Sequence, residues 1–178
     1  MNFWFTSDLH LGSTNIIKYC NRPYSSAAKM ASTFIDNWNA RVKAEDTVFH
    51  IGDFCFTQGK EGREGAKYWE KKLNGKIIHI EGNHDKNNKC KAIIQNAIIR
   101  FGGKRILLVH NPEHLPVIIN YDFALVGHVH TKWKIVRVFK TLDSVDCINV
   151  GVDVWNYRPA SFNEIMKRYS NWLKTGKV

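Results

Sequence analysis

The sequence predicts an α/β domain that contains mixed sheets. Short apolar runs have the length of buried strands, and between some of them apolar residues recur every three or four positions, as on one helix face. Candidate hairpins toward the C-terminus add antiparallel strand pairs to the sheets. With 178 residues, 44% of them hydrophobic, the chain is long enough for one domain, residues 1–178, with a sizeable core.

The strands are predicted from apolar runs that end at polar or turn-forming residues. Five runs read as buried strands: 3–6, 48–51, 77–80, 105–109 and 123–126. Residues 98–101 precede Gly102-Gly103-Lys104, which indicates a hairpin with the strand at 105–109. Residues 133–139 and 147–150 are predicted as two further strands.

Three helices are predicted from apolar periodicity. The first has apolar residues at a spacing of four: Met30, Phe34, Trp38 and Val42. The second spans 66–73 and ends at Asn74-Gly75. The third follows a capping box formed by Ser161 and Glu164, and its buried stripe is Phe162, Ile165, Tyr169 and Trp172.

Composition narrows the classes of function. The 26 basic and 16 acidic residues give a net charge of +10, which favours anionic partners such as phosphate esters, nucleotides and nucleic acid. The lysines are dispersed, however, and form no dense basic tract. No apolar run approaches the roughly 20 residues of a membrane span, so we expect no membrane partner.

A cytoplasmic location is the expectation from the N-terminus and the cysteines. The first residues, MNFWF, lack the basic start and long apolar stretch of a signal peptide. The cysteines contain no C-x-x-C pair, which argues against a thiolate zinc site, and we expect reduced thiols at Cys20, Cys55, Cys90 and Cys147.

Polar side chains follow all five predicted buried strands. In chain order these are Asp8 and His10; Gly52-Asp53; Gly82-Asn83-His84-Asp85; His110; and Gly127-His128 with His130. In open α/β sheets, sites form beyond the carboxyl ends of the strands, so we expect these five segments to converge on one site.

The side chains in these segments form a metal-ligand inventory. Asp8 and His10 are two positions apart, as are His128 and His130, and in extended chain such positions point the same way, so each pair is expected to hold a metal together. Imidazole and carboxylate without thiolate suit Mn, Fe, Zn, Co or Ni. Two Asp, four His and one Asn are too many for one ion and suit two, with Asp53 as the bridge.

Each residue also has an alternative that needs no metal. Asp8 alone fits a turn or a helix N-cap, Asn83 fits a left-handed turn position, and His110 fits a hydrogen-bonded histidine at a strand end. The ordered combination at five strand ends favours the metal site.

The ordered motifs resemble the calcineurin-like metallophosphoesterase superfamily, and the segment NVGVDVWNYRPASFNEI at 149–165 is similar to the tail of its small single-domain members. The resemblance implies two mixed β-sheets packed as a sandwich and flanked by helices, with two metal ions, Mn favoured, at one edge. It implies that one ion binds Asp8, His10, Asp53 and His130. The other binds Asp53, Asn83, His110 and His128.

The resemblance also implies a reaction. A water or hydroxide activated by the metals would hydrolyse phosphodiesters or phosphomonoesters, and His84 would donate a proton to the leaving group. Asp85 has two readings, orienting His84 or capping the next turn. Arg22 either grips a phosphate or is a solvated loop arginine, and His114 is expected at the surface more than on the substrate.

One departure from the family concerns its protein Ser/Thr phosphatases, in which Asp-Arg-Gly follows the central aspartate. Here no arginine follows Asp53 before Arg63, so a small phosphodiesterase or phosphomonoesterase is favoured over a phosphoprotein phosphatase. Two alternatives remain, a basic nucleic-acid-binding protein or nuclease, and a non-catalytic scaffold on the same fold. The presence of all seven ligand positions and of His84 argues against the scaffold.

Overall fold

The computed structural model describes residues 1–56, 65–90, 92, 94–117, 120–140 and 143–177. Arg63 lies outside these residues. The described chain contains two β-sheets, and both combine parallel with antiparallel strands. The predicted mixed sheets are therefore confirmed.

The first sheet has four strands in the order β3-β2-β1-β9. Its strands are β1 (Phe3–Thr6), β2 (Thr47–Ile51), β3 (Lys76–Ile80) and the short β9 (Ala160–Ser161). β1, β2 and β3 are parallel, whereas β9 runs antiparallel to β1. The carboxyl ends of three strands consequently lie at one edge of this sheet.

The second sheet has five strands in the order β4-β5-β6-β8-β7. Its strands are β4 (Asn96–Phe101), β5 (Lys104–Val109), β6 (Phe123–Val126), β7 (Ile135–Lys140) and β8 (Asp143–Asn149). β5, β6 and β8 are parallel, and hairpin partners β4 and β7 run antiparallel at the two edges. The β4–β5 hairpin turns at Gly102-Gly103 alone, because Lys104 already pairs with Phe101.

The main core lies between the sheets. Alternate side chains of β1, β2 and β3 meet those of β5, β6 and β8, and the fully buried members include Phe5, Ile51, Ile80, Ile106, Leu125 and Ile148. Residues of opposite parity on β2 face the other way, where Val48 packs against helices. This alternation is what the period of two in a strand requires.

Three helices pack on the outer face of the first sheet. They are α1 (Asn15–Tyr19), α2 (Ala27–Asn39) and α3 (Ala66–Glu70). The predicted stripe on α2 is buried, although Val42 lies beyond the last helical residue. α3 is three residues shorter than predicted, and α1 and β9 were not predicted, because segments of five and two residues carry no periodic signal.

The C-terminal helix α4 (Phe162–Thr175) begins at the predicted capping box. The Ser161 hydroxyl accepts a hydrogen bond from the Glu164 N–H, and the Glu164 carboxylate accepts one from the Ser161 N–H. Ile165 of this helix is fully buried in the core between the sheets. The helix therefore fixes β9, and through it the edge of the first sheet.

The outer face of the second sheet has its own apolar cluster. Leu107, Val109 and Val126 of β5 and β6 pack there with Leu115 and Tyr121, which belong to the connection between these strands. Of the helices built from described residues, none combines the length and apolar character needed to cross a bilayer.

Candidate metal centre

The five predicted strand ends meet at one edge of the sandwich. The Asp8 N–H donates to the Gly52 carbonyl at 3.0 Å, and the Gly127 N–H donates to the His110 carbonyl at 3.0 Å. These bonds extend the parallel pairing of each sheet into its loops. The two sheets are joined by the Asp8 carboxylate, which accepts the His128 N–H at 3.0 Å. The predicted convergence is confirmed.

The backbone at these ends is left-handed and not extended. The φ angles are positive at Asp8 (59°), His10 (48°), Asp53 (61°), His128 (70°) and His130 (47°). The premise that residues two apart point the same way in extended chain was therefore wrong for both pairs. The side chains of Asp8 and His10 still belong to one group of candidate ligands, which also contains His130. The side chain of His128 belongs to a different group, beside Asn83. Strain of this kind costs about 1–3 kcal/mol per residue and is typical of functional sites.

The first ligand set contains Asp8, His10 and His130, whose candidate ligand atoms lie within 4.8 Å of one another. His10 is buried, and its Nε2 has no hydrogen-bond partner among the described residues. The nearest acid is Asp53, whose Oδ2 lies 3.5 Å from that nitrogen. A buried ring nitrogen without a partner is costly, and a cation placed among these atoms would satisfy it.

The second ligand set is joined by an amide. The Asn83 Oδ1 lies 3.1 Å from the His110 Nε2 and 3.0 Å from the His128 Nδ1. The His110 Nε2 also lies 3.4 Å from the Asp53 Oδ2. Asp53, Asn83, His110 and His128 thus present oxygen and nitrogen donors to one another.

Asp53 lies between the two sets. Its Oδ2 is close to a ring nitrogen of His10 on one side and of His110 on the other. Its Oδ1 accepts the His84 N–H at 2.9 Å. Asp8 also comes within 4.8 Å of Asp53 and His110, so the two sets share a boundary of two carboxylates.

Two histidines are oriented from behind. The His110 Nδ1 lies 2.9 Å from the Ile51 carbonyl, and the His130 Nδ1 lies 2.8 Å from the Asp153 Oδ2. Each contact leaves the Nε2 facing the site. Such partners fix the ring orientation and tautomer of metal-binding histidines.

Arg22 is located differently from both of its sequence readings. Its side chain is fully buried, with Nε donating to Asp153 Oδ1 at 2.7 Å and Nη2 donating to Asp153 Oδ2 at 2.9 Å. The guanidinium also donates to the carbonyls of Asp8 and Leu9. The guanidinium nitrogens all donate to groups inside the protein, so Arg22 neither binds substrate directly nor lies in solvent.

Asp85 also has a different role from the two expected. Its carboxylate accepts three backbone N–H groups, those of Gly82, Asp53 and Phe54, at 2.8–2.9 Å. It makes no side-chain cap to the 3₁₀ turn that follows it. Asp85 therefore links the loop after β3 to the loop after β2 and fixes the position of the Asp53 backbone.

Close backbone approach explains two of the glycines in the motifs. A Cβ on Gly82 would lie 2.3 Å from the Asp53 Oδ1, and a Cβ on Gly127 would lie 1.9 Å from the Ser7 Oγ. No side chain fits at either position without moving the loop that carries a candidate ligand.

His84 lies beside the two sets and outside both. Its ring is exposed, with its centroid 5.6 Å from that of His10. Its backbone is held on both sides, since its N–H binds Asp53 and its carbonyl accepts the Asn88 Nδ2. The residue is thus anchored through its backbone, and its side chain is exposed at the rim of the site.

Protonation in the metal-free chain follows burial and charge. Burial lowers the pKa of His10 to about 3. Burial also disfavours the charged form of His110, but Asp53 and Asp8 outweigh it and raise its pKa to about 9. The His130 pKa rises to about 10 against burial, mainly through Asp153. A cation with these ligands would displace protons from the imidazoles.

The pKa values of the two central acids, Asp8 and Asp53, shift in opposite directions. Burial raises the pKa of Asp8. For Asp53 burial acts in the same direction, but the hydrogen bond and charge of His110 outweigh it and lower the pKa. Asp53 is therefore held as a carboxylate at the centre of the site.

Two functional neighbours were missed in the sequence. Asp153 binds His130 and Arg22, and Asn149 donates through Nδ2 to the His130 carbonyl at 2.8 Å. Both follow or end β8, so the rule applied to the other strand ends would have included them. The predicted strand at 147–150 placed Asn149 inside an apolar run and hid this end.

Comparison with known proteins identifies the family. Residues 1–160 match the calcineurin-like phosphoesterase superfamily domain. The uncharacterized protein MJ1445 of Methanocaldococcus jannaschii is 36% identical over 176 residues, covering 98% of this chain and 93% of that protein. The Gene 66 protein of Mycobacterium phage D29 is 24% identical, covering 87% of this chain and 89% of the phage protein.

A solved structure supports the same fold. The protein of unknown function AQ665 from Aquifex aeolicus superposes with a TM-score of 0.67 at 27% identity, covering 94% of this chain and 98% of that one. Its agreement over nearly the whole chain extends the likeness beyond the matched residues 1–160. The chain belongs to the calcineurin-like phosphoesterase superfamily.

Proposed function

We propose that the protein is a dinuclear-metal phosphoesterase that hydrolyses phosphodiesters or phosphomonoesters. The observation that carries the proposal is the position of Asp53, whose Oδ2 lies between His10 of the first ligand set and His110 of the second. A carboxylate held ionised between two groups of imidazole, amide and carboxylate donors is the arrangement that two neighbouring cations need.

The ligand sets suit transition metals. Asp8, His10, Asp53 and His130 would hold one ion, and Asp53, Asn83, His110 and His128 the other. Neither set includes a thiolate, so Mn, Fe, Zn, Co and Ni all suit the donors, and we favour Mn. When bound, two such ions supply Lewis acidity to a phosphoryl group and lower the pKa of a water nucleophile.

The chain's own groups supply orientation and a proton. Asp153 and the Ile51 carbonyl hold His130 and His110 in place, so little reorganisation is needed when substrate binds. The exposed His84 ring at the rim is placed to protonate the leaving oxygen as it departs from phosphorus. Asn83, being neutral, contributes a donor oxygen without adding charge.

A phosphodiester or small phosphomonoester is favoured as the substrate, with nucleotides and nucleic acid among the candidates. The absence of an Asp-Arg-Gly sequence after Asp53 argues against phosphoserine peptides, and the net charge of +10 favours anionic substrates. A cytoplasmic location is part of the proposal. The cysteines support it, because the described chain contains no disulfide and thiols persist in reducing compartments.

Metal analysis tests the proposal directly. Protein purified from Mn-supplemented cells should carry up to about two ions per chain, and a chelator should abolish hydrolysis of bis(p-nitrophenyl) phosphate until Mn is restored. Asp53→Asn should lose both ions or nearly all activity. Asp36→Asn, an exposed carboxylate on α2, is the matched control and should behave as the wild type. Full activity in excess chelator would contradict the proposal.

The net charge of +10 also supports a second candidate, a nucleic-acid-binding protein. It predicts binding of an oligonucleotide in chelator, with an affinity that falls steeply as salt rises, and no hydrolysis after Mn is added. Mn-dependent cleavage of the same oligonucleotide would instead identify it as a substrate.

A further inference from the structure

A cavity of about 530 Å³ opens beside the second ligand set. Asn83 and His110 form its inner end, so it is continuous with the proposed metal centre. One wall is the loop after β3, and the other is the start of β4 with the loop after β5. Its volume falls in the range of small-molecule sites, which makes it large enough for an organic group attached to a phosphate.

The walls of this cavity are rich in amides. Asn87, Gln95 and Asn96 line it, and all three residues are exposed. None of these three side chains hydrogen-bonds to another residue of the described chain. Each offers both a donor and an acceptor, so together they can pair with a ring that presents donors and acceptors in one plane.

Away from the metal centre and His110, the charge of the cavity is close to neutral, in contrast to the chain as a whole. Lys86 and Glu81 are its two permanently charged residues among those described, and they cancel. His114 adds an imidazole. A second phosphate would need several cations here, and Lys86 is the one lysine or arginine among the described lining residues.

We propose that this amide cavity is the subsite for the organic group of the substrate, and that this group is a neutral hydrogen-bonding ring system of the nucleoside type. Asparagine and glutamine side chains pair with base edges through two hydrogen bonds, which is the chemistry the cavity displays. The proposal rests on the phosphoesterase function and adds the identity of the group next to the phosphorus.

Two diesters with the same leaving group test this subsite. Thymidine 5′-(p-nitrophenyl phosphate) and methyl p-nitrophenyl phosphate both release p-nitrophenolate. They differ only in the second ester group, which is a nucleoside in the first and a methyl group in the other. With Mn, the wild-type kcat/KM should favour the nucleoside diester by roughly 10- to 100-fold, because each hydrogen bond to a neutral side chain contributes a factor of about 2 to 10.

Variants then test which residues cause the preference for the nucleoside diester. Replacing both amides of the β4 wall, Gln95→Ala with Asn96→Ala, should bring the ratio of the two kcat/KM values near one. Arg100→Ala, exposed on the same strand but outside the cavity, is the matched control and should keep the wild-type ratio. Taking the ratio on one preparation cancels any loss of folded or metal-loaded protein.

The possible results distinguish failure of the subsite from failure of the proposed phosphoesterase function. Equal kcat/KM for the two diesters in the wild type, or an unchanged preference in the double variant, overturns the subsite and leaves the phosphoesterase standing. Hydrolysis of p-nitrophenyl phosphate with Mn but of neither diester also overturns the subsite and leaves the phosphoesterase standing. Hydrolysis of none of the three esters with Mn overturns both.

Discussion

At the scale of single residues, Asp153 holds two side chains of the site in place. Its carboxylate serves the His130 ring and the buried Arg22 guanidinium at once, and Arg22 in turn binds the carbonyls of Asp8 and Leu9. One acid therefore supports ligands from both sheets. The sequence offered no pairing signal for two residues 131 positions apart, whereas the residue types after each strand could be read directly.

Asp153→Asn should lower the free energy of unfolding by about 3–5 kcal/mol, because it leaves the Arg22 charge buried without its full partner. Urea unfolding of the metal-free protein measures this, so that metal affinity does not enter. Asp143→Asn, an exposed acid on β8, is the control and should stay within about 0.5 kcal/mol of the wild type. A loss below about 1 kcal/mol at position 153 would show that the pair carries little weight.

His84 is the second residue of interest, because it lies outside both ligand sets while its neighbour Asn83 belongs to one of them. If it donates a proton to the leaving group, His84→Ala should retain metal and lose about 10²–10⁴ in rate on alkyl phosphate esters. The loss should be smaller for p-nitrophenyl esters, because p-nitrophenolate departs without a proton. Metal content and rates on both ester types are measured on the same sample.

His128→Ala provides the contrast for His84, since its ring lies 3.0 Å from the Asn83 Oδ1 within the second set. It should lower metal occupancy and slow both ester types together. Two results would refute the assignment of His84. Loss of metal in His84→Ala would make it a ligand, and equal losses on both ester types would make it a stabiliser of phosphoryl charge.

At the scale of elements, apolar runs were a sufficient signal for the longer strands, but not for the two-residue β9 or for the loops. The bounds of β1 and β6 match the prediction, because each is an apolar run followed by a small residue, Ser7 or Gly127. The left-handed φ angles of Asp8 and His130 have no such signal in the sequence. The orientation of each ligand therefore depended on tertiary structure.

The capping box of α4 gives a prediction at this scale. Ser161→Ala should lower the free energy of unfolding by about 0.5–2 kcal/mol, because the Glu164 N–H loses its acceptor at the helix start. Denaturant unfolding measures the change. Ser170→Ala, exposed within the same helix, should be neutral or slightly stabilising, since alanine is the better helix former. A Ser161 variant as stable as the Ser170 variant would show that the cap is dispensable.

At the scale of the whole molecule, the site exists because the two sheets end at the same edge. The rule that sites lie beyond the carboxyl ends of strands was enough to predict this convergence from sequence. The amide cavity was beyond prediction, because its walls come from the edge strand of one sheet and the loops of both. The net charge of +10 likewise gave no hint that the cavity itself is nearly neutral.

The same convergence gathers buried acids and so couples stability to metal. Burial raises the pKa of Asp8, so its contribution to stability is greatest below the unfolded-state pKa near 3.8 and is lost as pH rises through the folded-state value. In chelator at pH 8 the wild type therefore carries the cost of a buried carboxylate. Asp8→Asn removes that charge while keeping an oxygen that can accept the His128 N–H.

Asp8→Asn should therefore unfold at a higher temperature than the wild type in chelator at pH 8, and the difference should shrink toward pH 4. Mn should reverse the order. At a free concentration about 100 times Kd, a bound ion stabilises the wild type by roughly 2.7 kcal/mol, whereas the variant lacks a ligand and should gain far less. Thermal unfolding of both proteins, and of Asp36→Asn as the exposed control, is measured in chelator at pH 8, in chelator at pH 4 and with Mn at pH 8. A variant less stable than the wild type in chelator at every pH would mean that the Asp8 carboxylate is held by its neighbours and not opposed by burial.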